Sequence, residues 1–226
     1  MKQLKRVIFI MSLLILLIGC GAQREALKPN SGSIMNDSEK IYVIRSKPPK
    51  FTKTTAMGVL TMSALGPIFG TLAGGHYVET AEGKTDVDPA VRIQERLSES
   101  IKSVYSLDNI DIIKEPINIE PDDYVELNNK FKGDVVLGVK TTGWGLIYHP
   151  IKWSHYRLMV SATAILSNPQ NKEKLWQGSC FYAEPTGTAS TDDELAADNA
   201  SLLQSKLSAA EEECSKQLLE QFNSGK

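Results

Sequence analysis

Tyr156-Arg157-Leu158-Met159-Val160-Ser161-Ala162-Thr163-Ala164-Ile165-Leu166 alternates apolar and polar side chains, and Asn168-Pro169-Gln170-Asn171 follows it before Leu175-Trp176-Gln177-Gly178-Ser179-Cys180-Phe181-Tyr182. A period of two puts Tyr156, Leu158, Val160, Ala162, Ala164 and Leu166 on one side of an extended chain, with Arg157, Met159, Ser161 and Thr163 on the other. The Asn-Pro-Gln-Asn turn makes the two runs an antiparallel hairpin.

Upstream of the hairpin, residues 134–139 contain Val135, Val136, Leu137 and Val139 with no polar face left for water, which predicts a central strand. Residues 41–44 and 110–113 read as two further strands. Asp88 and Pro89 open a helix whose apolar stripe is Ala90, Ile93, Leu97, Ile101 and Val104, and Tyr124, Leu127 and Phe131 mark a shorter one between Pro121 and Gly133. Downstream, Thr191 and Glu194 form a capping box, after which Leu195, Leu202, Leu203, Leu207, Ala210, Cys214 and Leu218 trace one face of a long helix. The expected fold is therefore α/β (α+β), with a mixed sheet that includes an antiparallel hairpin and is covered by two or three helices, the longest at the C-terminal end. Residues 41–226 are expected to form that single domain.

The amino terminus gives an address. Lys2, Lys5 and Arg6 precede an uncharged apolar run over residues 7–18, the layout of an export signal. The run is too short for the roughly 20 apolar residues that cross a bilayer. It ends in Leu17-Ile18-Gly19-Cys20, which resembles the lipobox of bacterial lipoproteins. That resemblance implies removal of residues 1–19, a diacylglycerol on the Cys20 thiol and an acyl chain on the new amino terminus. Several acyl chains, at about 0.8 kcal/mol per buried methylene, make attachment to the membrane effectively permanent. Gly21 stands where enteric inner-membrane lipoproteins carry Asp, so the resemblance implies the outer membrane, facing the periplasm. Residues 20–40, with Pro29-Asn30-Ser31-Gly32-Ser33, show no apolar period and are expected to be a flexible tether.

Loss of residues 1–19 leaves 22 basic against 27 acidic side chains, a net charge of −5. Without a basic stripe or interleaved aromatics, nucleic acid is excluded as a partner. Cys20 being taken by lipid, Cys180 and Cys214 remain. In an oxidising compartment they are expected to pair, which contributes on the order of 3 kcal/mol, the alternative being two unpaired core thiols. Cys214 faces inward on the helix stripe and Cys180 shares a strand face with Trp176 and Tyr182, so a helix packed there could join them.

Gly133-Asp134-Val135-Val136-Leu137-Gly138 and Leu175-Trp176-Gln177-Gly178 resemble two strand motifs of a family of small α/β domains. That family includes the curli-secretion pore lipoprotein, the amino-terminal domain of the Tol translocation protein B and related outer-membrane lipoproteins. The resemblance implies an envelope protein of this fold and assigns no functional residue, since fold does not fix function.

Residues 56–75 depart from that pattern: they form an uncharged, Gly-rich insertion carrying Gly66, Gly70 and Gly74. Glycines four apart let another backbone approach closely, in a self-associating or membrane-touching segment; the alternative is a loop or buried hairpin on the domain's own core. No Gly-x-Ser-x-Gly elbow or His-Glu-x-x-His helix occurs, and the acidic pairs Asp122-Asp123 and Asp192-Asp193 stand at helix starts, where they favour the dipole. No catalytic residue, metal site or cofactor beyond the lipid is therefore expected. His149 and His155 flank Trp153 and read as exposed polar residues or, less simply, as a metal or partner site. Trp144, Ile147, Tyr148 and Trp153 crowd large apolar groups beside glycines between residues 143 and 153, where they form either a partner contact or a lid over the core. The expected role is a non-enzymatic envelope lipoprotein that binds protein partners in an assembly, secretion or maintenance complex. The alternatives are an oligomeric ring or channel component and a periplasmic ligand binder.

Overall fold

In the computed structural model the chain is described over residues 24–53, 88–132, 134–149 and 151–224. The export signal, Cys20 and the 56–75 insertion with Gly66, Gly70 and Gly74 lie outside the described residues.

The apolar runs become strands and the 3.6-residue stripes become helices, in the order α1 (Ser31–Asp37), β1 (Ile41–Arg45), β2 (Thr52–Lys53), α2 (Ala90–Tyr105), β3 (Ile110–Ile112), α3 (Tyr124–Phe131), β4 (Val135–Tyr148), β5 (His155–Asn168), β6 (Glu173–Ala183), β7 (Ser190–Thr191) and α4 (Asp192–Asn223). The sheet runs β3-β1-β4-β5-β6, with β2 extending the β1 side of β4 and β7 pairing with β5. Strand β1 is parallel to both β3 and β4, whereas β4-β5 and β5-β6 are antiparallel, so the sheet is mixed as expected. Central β4 is buried on both faces: Val135, Leu137 and Val139 join the large core under α2 and α4, and Val136 joins a smaller cluster with Ile44, Ile117, Leu127 and Phe131 under α3.

Helix α2 buries Ala90, Ile93, Leu97 and Ile101, but its last stripe residue, Val104, is 44% exposed; the helix ends one residue later at Tyr105, and Ser106 takes a left-handed φ of 54°. Asp88 does cap this helix: its carboxylate accepts from Ala90 N (3.0 Å) and from the Thr141 hydroxyl (2.5 Å). Helix α3 closes on Lys132, also left-handed at φ 50°.

Helix α4 opens with the expected capping box, in which the Thr191 hydroxyl accepts from Glu194 N and the Glu194 carboxylate from Thr191 N. Those bonds hold the Glu194 carboxyl below the usual carboxylate range. It is not one straight helix, because Ala197 is extended and Asp198, Asn199 and Ala200 have φ of 49 to 60°, which kinks it before Ser201. The kink turns Leu203 inward and leaves Leu202 on the surface. Beyond it, Cys214 is bonded to Cys180 of β6 across the core.

The tether expected over residues 20–40 is structured from Arg24 onward. Glu25 pairs backbone to backbone with Gln177 (2.9 and 3.2 Å), Lys28 N donates to Leu175 O, and Lys28 and Lys174 form ion pairs of 2.8 Å with Glu173 and Glu25. Leu27 and Met35 are buried in the main core. Main-chain bonds leave no mark in composition, which is why a polar segment with two buried apolar residues read as a tether.

The same strap protects an edge. Strand β6 would present free N–H and C=O groups to solvent, an invitation to pair with another chain. Glu25 takes both main-chain groups of Gln177 and Lys28 takes the carbonyl of Leu175, and α4 adds two glutamines one turn apart: Gln221 bonds Ser179 N and O (3.1 and 2.8 Å), and Gln217 bonds Phe181 N and O (both 3.2 Å). The side-chain amides stand in for a neighbouring strand.

Two glycines explain the sheet motifs. Gly178 lies two residues from Trp176 on the same strand face, and an added Cβ would stand 2.5 Å from the indole, which packs edge-on to Phe222 at 5.0 Å. Gly138 admits Pro121, which a Cβ would meet at 2.6 Å.

Candidate functional site

Strands β4 and β5 are both 14 residues long and stay in register from Val136↔Ser167 to Tyr148↔Tyr156, with one bulge between Thr141 and Gly143. They end in a short connection, and the residues expected at a partner contact divide along this arm. Trp144 is not in a loop and is not at the surface. It lies within β4, 7% exposed, with Phe51 edge-on to its ring at 5.0 Å and its Nε1 donating to Pro49 O (2.8 Å). The glycine beside it serves packing: a Cβ on Gly145 would stand 2.1 Å from Thr52 O of β2. Of the two alternatives for Trp144, the structure therefore shows the core one. Ile147 and Tyr148 are half-buried strand residues, and Tyr148 packs edge-on to Tyr156 at 5.7 Å.

Trp153, by contrast, is 83% exposed, and Ile151, which the sequence reading passed over, is 82% exposed. Two large apolar side chains two residues apart thus stand in water at the end of the arm. The backbone beneath them is fixed by the two histidines. His149 is buried, and its Nδ1 accepts from both Ile151 N (3.2 Å) and Lys152 N (3.0 Å). Its own N–H donates to His155 O (2.8 Å), His155 N donates to Lys152 O (3.2 Å), and the His155 ring lies 2.8 Å from Trp153 O. With its Nδ1 engaged by two main-chain N–H groups and its Nε2 buried without a hydrogen-bond partner, His149 is a brace for the turn rather than the exposed polar group expected. Ser154, at φ 60°, turns the chain back.

The strand ends beside the tip are braced in turn. Thr191 and Ser190 of β7 pair with His155 and Tyr156; Lys53 of β2 lies over the Tyr156 ring (4.2 Å) and forms an ion pair with Asp192. Arg157 donates to Glu184 O (3.2 Å), the buried Glu184 carboxylate accepts from Leu158 N (2.9 Å), and Lys206 of α4 pairs with it. Below the tip, on the open face of the sheet, Thr52, Ile147, Met159 and half-exposed Phe181 line a shallow apolar groove of about 130 Å³. A wider groove of about 980 Å³ runs between α2 and α4, lined by Arg96, Glu99, Val104, Glu212, Lys216 and Leu219, away from His149 and His155. Among the described residues no three His, Cys, Asp or Glu side chains are placed to hold a metal ion, and no helix is long and apolar enough to cross a membrane.

No protein-family profile matches the chain, and no curated protein matches it. Its fold is similar to that of several solved structures. One is the PelC dodecamer from Paraburkholderia phytofirmans, with 10% identity over 88% of this chain and 95% of that one and a TM-score of 0.39. Another is lipoprotein GNA1162 from Neisseria meningitidis, with 21% identity over 75% and 95% and a TM-score of 0.27. A third is the hypothetical protein CT253 from Chlamydia trachomatis, with 8% identity over 81% and 95% and a TM-score of 0.40. At these values the likeness concerns the course of the chain and assigns no role.

Proposed function

We propose that this chain is a non-enzymatic lipoprotein of the cell envelope whose α/β domain holds protein partners, in an assembly, secretion or envelope-maintenance complex, through the tip of the β4-β5 arm. One observation carries the reading: Ile151 and Trp153 are more than four-fifths exposed on a turn fixed by His149. Isolated surface apolar residues are ordinary, but a preorganised aromatic and aliphatic pair with a lysine between them has the composition of an interface hot spot. Holding the turn in advance lowers the ordering cost of binding. The lipobox supplies the address, and the absence of a nucleophile motif from the sequence supports a binding role.

The test is replacement of Trp153 and Ile151 together by Ala in the full-length lipidated protein, followed by chemical crosslinking in cells and purification. Crosslinked partner should fall by about tenfold or more, the scale of a lost hot spot, while the melting temperature holds. Undiminished capture would refute the assignment.

A further inference from the structure

The strap and the position of the lipidation motif together place the membrane relative to the fold. This inference rests on lipidation of Cys20, which the sequence motif supports. Glu25 is fixed to the β6 edge by two main-chain bonds and an ion pair, so the chain leaves the domain there and not at β1. Four residues separate Cys20 from Glu25, and a fully extended chain covers at most about 18 Å over those five steps. Without the strap, the chain from Cys20 to Ile41 would reach about 70 Å and let the domain turn freely. We infer that the flank formed by the strap, β6 and the last turns of α4 is the lipid-facing surface of the domain, held against the bilayer by a leash of four residues between Cys20 and Glu25.

The chemistry of the flank suits a headgroup layer. Arg24, Gln217, Glu220, Gln221 and Ser224 line one shallow polar depression there, and Lys28 and Lys174 stand beside it in ion pairs that satisfy both partners. The strap and the two glutamines already bond the outward main-chain groups of Gln177, Ser179 and Phe181, so those groups do not enter the interface unpaired. Strand β3 lies four strand spacings away on the opposite edge, about 19 Å further from the leash.

The test uses the full-length lipidated protein in phosphatidylcholine vesicles containing a headgroup nitroxide lipid. Cys180 and Cys214 are joined and Cys20 carries lipid, so one new cysteine is the only thiol to label. A bimane on Ser224→Cys, beside the strap, should be quenched several-fold more than one on Glu115→Cys, in the exposed segment after β3. Adding Glu25→Pro, which removes the N–H that holds Gln177 O, should bring the two labels toward equality without releasing the protein from the vesicles. Equal quenching in the unaltered protein, or stronger quenching at Glu115→Cys, overturns the placement while leaving the anchor intact. A protein that fails to float with the vesicles overturns the lipid anchor, and the placement with it.

Discussion

The β6 flank and the β4-β5 tip treat the same kinds of side chain in opposite ways. At the flank, Trp176, Phe222 and Leu218 are almost wholly buried, the disulfide ties β6 to α4, and the outward N–H and C=O groups of Gln177, Ser179 and Phe181 all have partners. At the tip, Ile151 and Trp153 stand in water, and only the backbone beneath them is bonded. Burying two such side chains would gain roughly 1.5–3 kcal/mol each. A chain that leaves them exposed on an ordered turn keeps that gain for another molecule, whereas the flank buries Trp176, Leu218 and Phe222 in the fold and leaves Phe181 half-exposed.

The sharpest break of this comparison is on the flank. Trp176→Ala empties a fully enclosed site between Gly178, Leu218 and Phe222 and should cost about 3–5 kcal/mol, read by denaturant unfolding. A loss below about 1 kcal/mol would show that the flank is not the packed end of the molecule. Next, Cys214→Ser opens a loop of 34 residues and should cost about 3–4 kcal/mol relative to the oxidised protein, with only the cost of the buried hydroxyl left once both are reduced. The site is closed, so the serine hydroxyl adds its own desolvation cost, and the comparison under reductant separates the two effects.

A smaller effect depends on pH. Glu211 of α4 is 3% exposed, and burial pushes its carboxyl up to about 7 despite Arg92, whose Nε lies 3.3 Å away, and Arg96. Burial wins because Arg92 is half exposed, so water weakens its attraction. The raised value means that the folded protein holds this proton when the unfolded chain has lost it. Stability from Glu211 is thus complete below about pH 4.5 and is lost as pH rises to about 7. Glu211→Gln keeps the protonated shape at every pH. Its stability relative to the parent should therefore rise between pH 5 and 8, and parallel pH profiles for the two proteins would contradict the assignment.

The sequence was most legible where burial imposes a period. The alternation through residues 156–166, the apolar run of β4 and the stripes of α2 and α4 named the sheet, its hairpin, its covering helices and the Cys180–Cys214 pair. It was least legible where the main chain does the bonding. The strap is polar because its contacts are peptide groups, and Gln217 and Gln221 cap β6 from a helix face that reads as merely hydrophilic. The kink at Asp198–Ala200 carries neither glycine nor proline, so nothing announced it. At the tip, Trp144 and Trp153 look alike in sequence, both beside small or polar residues, and only the 14-residue length of β4 separates the buried one from the exposed one. Ile151 escaped notice because a single isoleucine in a connection is ordinary.

The central claim is that the tip, and not exposed apolar surface in general, receives the partner. A photo-crosslinking amino acid placed at Trp153 tests it directly when compared with the same group at Val125 of α3, which is 58% exposed on another face. The account predicts a discrete adduct of one mass from position 153 in cells and none from position 125. Equal or absent crosslinking at both positions would contradict it.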